Sequence, residues 1–356
     1  MQSTIRPGQP WLDTDGKRIQ AHGGSLLFLD GTYYWYGENK EKTVSLSGLP
    51  GDPLVWHWGV RCYSSHDLCN WHDEGLIIPP EPDKPDSPLH PYARMDRPHI
   101  IHNEKKGKFV AWLKIMEEHQ QAAAVLTADD FLGPYTLVRQ HFLPLGFSMG
   151  DFDLVVGPDG KAYNYFERVH SEIVCAELTD DYTDVTGKYS THFPQPNPPF
   201  VREAPAHFLR NGRHYLVTSG TTGYLPNPSE IAVADDWHGP FAVLGNPHPG
   251  DQSQTSYHSQ ISSVFKVPGK RDLYIACADR WLPHLQNIPY EWTRDVYADM
   301  FSDSHQAPPA IRNWYKSINT QVEYTQLADY VWLPFRFDGD YPILEWRDEW
   351  SPDDFD

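Results

Sequence analysis

Five segments of the 356-residue chain put one polar side chain at the head of an apolar run. They read QAHGGSLL, MDRPHIIH, MGDFDLVV, REAPAHFL and HSQISSVF, and the polar residues are His22, Asp96, Asp151, Glu203 and Gln260. One carboxylate at a strand start is ordinarily a solvated strand end. Three brought to one place are costly, because like charges close together raise one another's pKa. A fold keeps such a cluster for a metal or for acid–base work. One reaction that uses it is glycoside hydrolysis. There one carboxyl stays protonated as general acid and another activates water or attacks, while a third holds the acid's proton on near neutral pH. A channel lined with solvated polar groups is the plainer alternative. The elements that carry these residues decide whether they meet.

Each segment precedes a small polar turn and an aromatic-rich strand: DGTYYWYGE, KKGKFVAWLKI, DGKAYNYFER, NGRHYLVTSG and GKRDLYIACADRW. The aromatic anchors Tyr33, Phe109, Tyr163, Tyr215 and Tyr274 are 76, 54, 52 and 59 residues apart, and the polar residues lie 11, 13, 12, 12 and 14 residues before them. Asx-Gly ahead of alternating apolar residues is a hairpin signal. A second element follows each anchor: YSSHDLCNWHDEG, LTADDFLGPYTLV, ELTDDYTDVTG and AVADDWHGPFAVL, with a degenerate last copy in YVWLPFRFDGDYPILEW. Five copies of about four short strands predict an all-β, five-bladed β-propeller. A sandwich would not give five evenly spaced copies. The blades run roughly over 20–77, 94–140, 149–190, 201–245 and 258–350, as one catalytic domain with no accessory module. Extra Pro, Gly and Asp in 40–57 and 78–93 read as loop insertions, and helix is limited to short turns around Asn287 to Ser302. The first strand of each propeller blade lines the central channel, so the five polar residues converge at one mouth.

Composition narrows the ligand. The net charge is −19, from 29 basic and 48 acidic residues, which disfavours nucleic acid and anionic membranes and suits a neutral substrate. Aromatics make up 14% of the chain, with 13 Trp and 20 Tyr. Trp35, Trp112, Tyr224, Tyr257 and Trp281 are candidate platforms for sugar rings. Cys62, Cys69, Cys175 and Cys277 form no CxxC pair, so no zinc site is expected. Spacing permits a Cys62–Cys69 disulfide, but four cysteines in a chain this long read as reduced. No secretory h-region and no 18-residue apolar run occurs. The expectation is a cytoplasmic protein acting on short oligosaccharides. No cofactor is required, although His22 with channel carboxylates permits calcium.

The ordered motifs AHGG…YYWYGE, DRPHIIHN, GDFDLVVGPDGKAY, REAPAHFLRNGRHYL, SGTTGYLPNPSE, YHSQ and ADRW, from about Trp11 to Trp346, resemble glycoside hydrolase family 43. The likeness is greatest to its branch of exo-β-1,3-galactanases and related galactosidases. The resemblance implies an inverting propeller that releases a terminal β-D-galactosyl unit. Its general acid would be Glu203 of the EAP motif, and Asp151 would modulate that acid's pKa. The first blade lacks the base Asp common in the family. The branch shares that absence and places a Gln in the fifth blade, matched here by Gln260. DRPH stands where the branch has Glu-Arg-Pro, so the shorter Asp96 is an alternative base. Glu38 in YGENK matches a binding acid and Thr222 a substrate loop, and His22, Tyr257 and Arg280 are further candidate contacts. An α-L-arabinofuranosidase or β-D-xylosidase is the alternative enzyme, and a non-catalytic carbohydrate-binding propeller the alternative class.

Overall fold

The computed structural model describes residues 2–43, 54–318 and 320–356. Its strands form five four-stranded sheets, each antiparallel and ordered as in the sequence. Blade 1 comprises His22–Leu29, Thr32–Glu38, Val60–Ser65 and His72–Ile78. Blade 2 comprises Arg94–Asn103, Lys108–Met116, Gln121–Ala128 and Thr136–Phe142. Blade 3 comprises Met149–Val156, Ala162–Arg168, Glu172–Leu178 and Val185–His192. Blade 4 comprises Arg202–Arg210, Arg213–Gly220, Glu230–Ala234 and Ala242–Gly245. Blade 5 comprises Gln260–Lys266, Tyr274–Arg280, Asp329–Asp338 and Tyr341–Leu344. The first strand of each blade lies against that of the next, and blade 5 returns to blade 1. The fold is a five-bladed β-propeller.

The hairpin turns explain part of this. Asp30-Gly31 and Asn211-Gly212 each join two strands through a two-residue loop with both φ values positive, 48° and 83° in the first and 53° and 77° in the second. That turn matches the right-handed twist of the strands and favours Asx-Gly. Between blades 5 and 1 a tryptophan cluster fills the core. Trp35 lies 4.6 Å from Trp332 and 5.4 Å from Trp71, ring centre to ring centre. Trp35 and Trp112 are both buried in core clusters, so neither is a sugar platform. The N-terminal segment closes the ring, with Ile5 bridging to Trp350 and the Gly8 amide donating to the Tyr330 carbonyl.

Blade 5 departs from the sequence expectation. YVWLPFRFDGDYPILEW forms its outer hairpin, and about 50 residues separate it from the inner one. They hold helices α1 (Tyr290–Phe301) and α2 (Pro309–Ser317) where only short turns were expected. Helix α1 buries only Thr293, Val296 and Ala298, too thin an apolar stripe for periodicity to reveal it. Of the anticipated insertion at 40–57, residues 44–53 lie outside the described residues. All four cysteines are free thiols. Among the described residues no helix is long and apolar enough to cross a membrane.

Candidate active site

At one mouth of the channel the first strand of every blade breaks register beside its polar residue. The irregularities fall between His22 and Ser25, Asp96 and His99, Met149 and Phe152, Glu203 and Ala206, and Ile261 and Ser263. Such bulges sit at rims and re-aim side chains. In blades 2 and 4 the device is the same: an acid, a left-handed residue, then Pro. Arg97 has φ 52° before Pro98, and Ala204 has φ 48° before Pro205. Proline cannot donate to the ladder, so the strand yields there. Blade 1 uses Gly23, with φ 60°, in place of Arg or Ala.

These breaks open a cavity of about 300 Å³, at the lower end for small-molecule clefts (roughly 300–1,000 Å³). Glu38, Asp96, Asp151, Glu203 and Gln260 all line it. Three cations hold the carboxylates together. The Lys114 ammonium lies 2.7 Å from Asp151 and 3.4 Å from Asp96. Arg97 lies 3.0 Å from Asp151, and Lys40 lies 2.9 Å from Glu38 and 3.6 Å from Asp96. The Trp56 indole also donates to Asp96 at 2.8 Å. Gln260 is fully engaged. Its oxygen accepts from Arg97 and from the Trp281 indole, and its amide donates to Glu203 at 3.1 Å and to Ser219 at 2.9 Å.

The acids separate into two kinds. Burial disfavours the charge on Asp151, but Arg97 and Lys114 outweigh it and hold the carboxyl down to about 2. Asp96 is likewise held low, by Lys114 and Lys40 against its burial. Glu203 is pushed well above the carboxylate range by burial, with the Asp151 and Glu167 charges adding to it. Glu38 is raised to about 7, chiefly by burial, with Lys40 opposing and Asp96 adding. Two acids held low and two raised, around one cavity, make an acid–base site.

Four predicted contacts lie elsewhere. His22 is fully buried between blades, 3.2 Å from Asp279 and stacked 5.1 Å from the Tyr330 ring. Thr222 is also fully buried, with its hydroxyl on the Leu225 carbonyl, and its neighbour Thr221 lines the cavity instead. Arg280 donates to the carbonyls of Gly8, Tyr257 and His258, and Tyr257 packs beside it, both away from the cavity. Arg280's neighbour Trp281 is the lining residue, as is Tyr224. Among the described residues no group of three or more His, Cys, Asp or Glu side chains is placed to hold a metal ion.

The sequence reading passed over Arg97, Lys114, Lys40 and Glu167. A signal existed for Lys114, a cation inside the apolar run FVAWLKI, cross-strand from Asp96. Glu167 fills the space over Gly150, where a Cβ would stand 2.1 Å from its carboxylate oxygen.

The pattern of the glycosyl hydrolases of family 43 matches residues 20–302. No curated protein sequence matches the chain. Among solved structures, a family 43 β-1,3-galactosidase superposes with a TM-score of 0.77 at 28% identity, over all of this chain and 65% of its own length. A second β-1,3-galactosidase of the family, solved with galactodeoxynojirimycin, gives 0.75 at 27% identity over 98% of this chain and all of its own. An exo-β-1,3-galactanase from Clostridium thermocellum gives 0.72 at 26%, over 98% of this chain and 66% of its own. With a family match over most of its length, five blades and a carboxylate-lined channel mouth, the chain belongs to the glycosyl hydrolases of family 43.

Proposed function

We propose that the protein is an exo-acting, inverting glycosidase that releases a terminal β-D-galactosyl unit from an oligosaccharide. The observation that carries this is the contrast between a protonated Glu203 and an ionised Asp151 beside one sugar-sized cavity. Exo action is supported by the walls. Trp56, Tyr224, Trp281, Tyr297 and Phe301 enclose the cavity, so it suits a chain end rather than a continuous polymer. The galactosyl choice rests on the similar structures, two β-1,3-galactosidases and an exo-β-1,3-galactanase.

The mechanism follows from the bonds of Glu203. Its Oε1 accepts the Gln260 amide, so the acidic proton sits on Oε2. From there it is given to the glycosidic oxygen as that bond breaks. Burial keeps the proton in place, and the Asp151 charge adds to it. Water attacks the anomeric carbon from the opposite face, and its proton passes to a base. An inverting pair needs about 6.5–9.5 Å between its two groups. Gln260 touches Glu203 and sits in the neighbouring blade, so it positions the acid. Asp96 is held low and lies two blades from Glu203, which supports giving it the water.

A panel of nitrophenyl glycosides tests the sugar. β-Galactoside turnover should exceed α-L-arabinofuranoside and β-D-xyloside turnover, and the reverse order would replace the galactosyl reading. The anomer first released, followed by NMR, should be inverted, and retention would reject the single displacement. For the base, Asp96→Asn should cost more in kcat than Gln260→Ala. The opposite ranking would return that role to the glutamine.

A further inference from the structure

A second cavity, of about 310 Å³, opens beside the ends of blades 4 and 5. Its lining includes Trp346, Tyr257, His258, Arg280, Gln286 and Asn287. It shares a wall with the active cavity. Arg280 and Trp281 are consecutive and face opposite sides, and Leu225, Leu282 and Ile288 pack with Trp281 between them. The two cavities are nearly equal in volume.

Two features mark this as a built site. Trp346 is 38% exposed, with Tyr257 tilted against it at 5.5 Å and the Arg280 guanidinium 5.7 Å from its ring centre. The loop beneath is strained: Gln254, Ser256, Tyr257 and His258 all carry φ between 54° and 60° without being glycine. Such strain persists only where the surroundings over-determine it. Here the Asp251 carboxylate accepts from the Thr255 and Tyr257 amides, and Arg280 donates to the Tyr257 and His258 carbonyls.

The chemistry favours a neutral ligand. Each hydrogen bond of the Arg280 guanidinium goes to a backbone carbonyl, of Gly8, Tyr257 or His258. Asp329 is the acid whose charge offsets it, and burial holds His258 down to about 4, leaving a neutral imidazole. An exposed indole face with neutral side-chain amides beside it suits the apolar face and hydroxyl rim of a pyranose. We propose that this cavity is a second carbohydrate site, holding one neutral pyranose unit of an oligosaccharide against Trp346 with its hydroxyl rim toward Gln286 and Asn287. The sugar class rests on the glycosidase reading above.

The test is titration of the Glu203→Gln protein with β-1,3-galactotriose, and with galactose, xylose and arabinose, followed through the indole N–H resonances. The Trp346 signal is assigned by its loss in Trp346→Phe. Trp281 and Trp346 should both shift, with different midpoints. In the otherwise unaltered enzyme, Trp346→Ala should lower kcat/KM on the trisaccharide at least threefold and leave nitrophenyl galactoside turnover within twofold. A Trp346 resonance unmoved by any sugar overturns the second site, as does a parallel loss on both substrates. Movement of Trp281 alone leaves the glycosidase reading standing. Movement of Trp346 alone, with no glycoside turned over, rejects that reading and keeps the site.

Discussion

In the proposed mechanism Glu203 and Asp151 carry the chemistry through opposite protonation states. The Asp151 charge helps to hold the Glu203 proton. Removing it in Asp151→Asn should lower the Glu203 pKa, so the alkaline limb of the kcat/KM profile should move to lower pH while kcat falls. An unmoved limb would mean that Asp151 does not set the acid. Glu38 gives a stability prediction. Its folded pKa is raised from 4.5 to about 7, so its contribution is full below the unfolded value and is lost as pH rises through about 7. Glu38→Gln should therefore lose less Tm than the parent on going from pH 5 to pH 8, as thermal melts would show. At this scale Asp96, Asp151 and Glu203 were legible, because each heads an apolar run at a near-constant distance from its aromatic anchor. Glu167 and Arg97 were not. Arg97 reaches the cavity only because a bulge breaks the strand's alternation, and one-residue offsets of that kind separate Thr221 from Thr222 and Trp281 from Arg280.

The register breaks are what deliver those side chains, and glycine makes the one in blade 1. A Cβ on Gly23 would meet a Glu38 carboxylate oxygen at 2.6 Å, and one on Gly24 would meet the Tyr36 carbonyl at 1.8 Å. Gly24→Ala should therefore cost about 1–3 kcal/mol in urea denaturation, as overpacking does. Gly23→Ala should reduce kcat/KM out of proportion to its effect on stability, because it displaces Glu38. Equal and small effects of both changes would contradict the tight blade 1 bulge. The hairpins themselves were readable from Asp30-Gly31 and Asn211-Gly212, since that turn needs those residues. The helical insertion in blade 5 was not, because α1 buries few apolar side chains and carries its aromatics Tyr297 and Phe301 to the cavity instead.

As a whole, the molecule is a closed ring, and its seam lies between blades 5 and 1. Trp350 is buried there, with its indole on the Trp332 carbonyl and its backbone bridged to Ile5. Trp350→Ala should cost about 3–5 kcal/mol, seen as a lower denaturation midpoint, with kcat at low temperature little changed because the seam is remote from Glu203. The five-fold count was visible in the sequence and made the channel, and so the meeting of the acids, predictable. How the ring closes was not visible, since the sealing contacts, such as Ile5 with Trp350, join residues far apart in the sequence. The central claim is that Glu203 gives the proton to the leaving group. The direct measurement is kcat/KM of Glu203→Gln on two galactosides, one with a poor alkoxide leaving group and one with dinitrophenolate. Loss of about 10²–10⁴-fold on the first, with most activity kept on the second, is the predicted result. An equal loss on both, or retained turnover of the first, would contradict it.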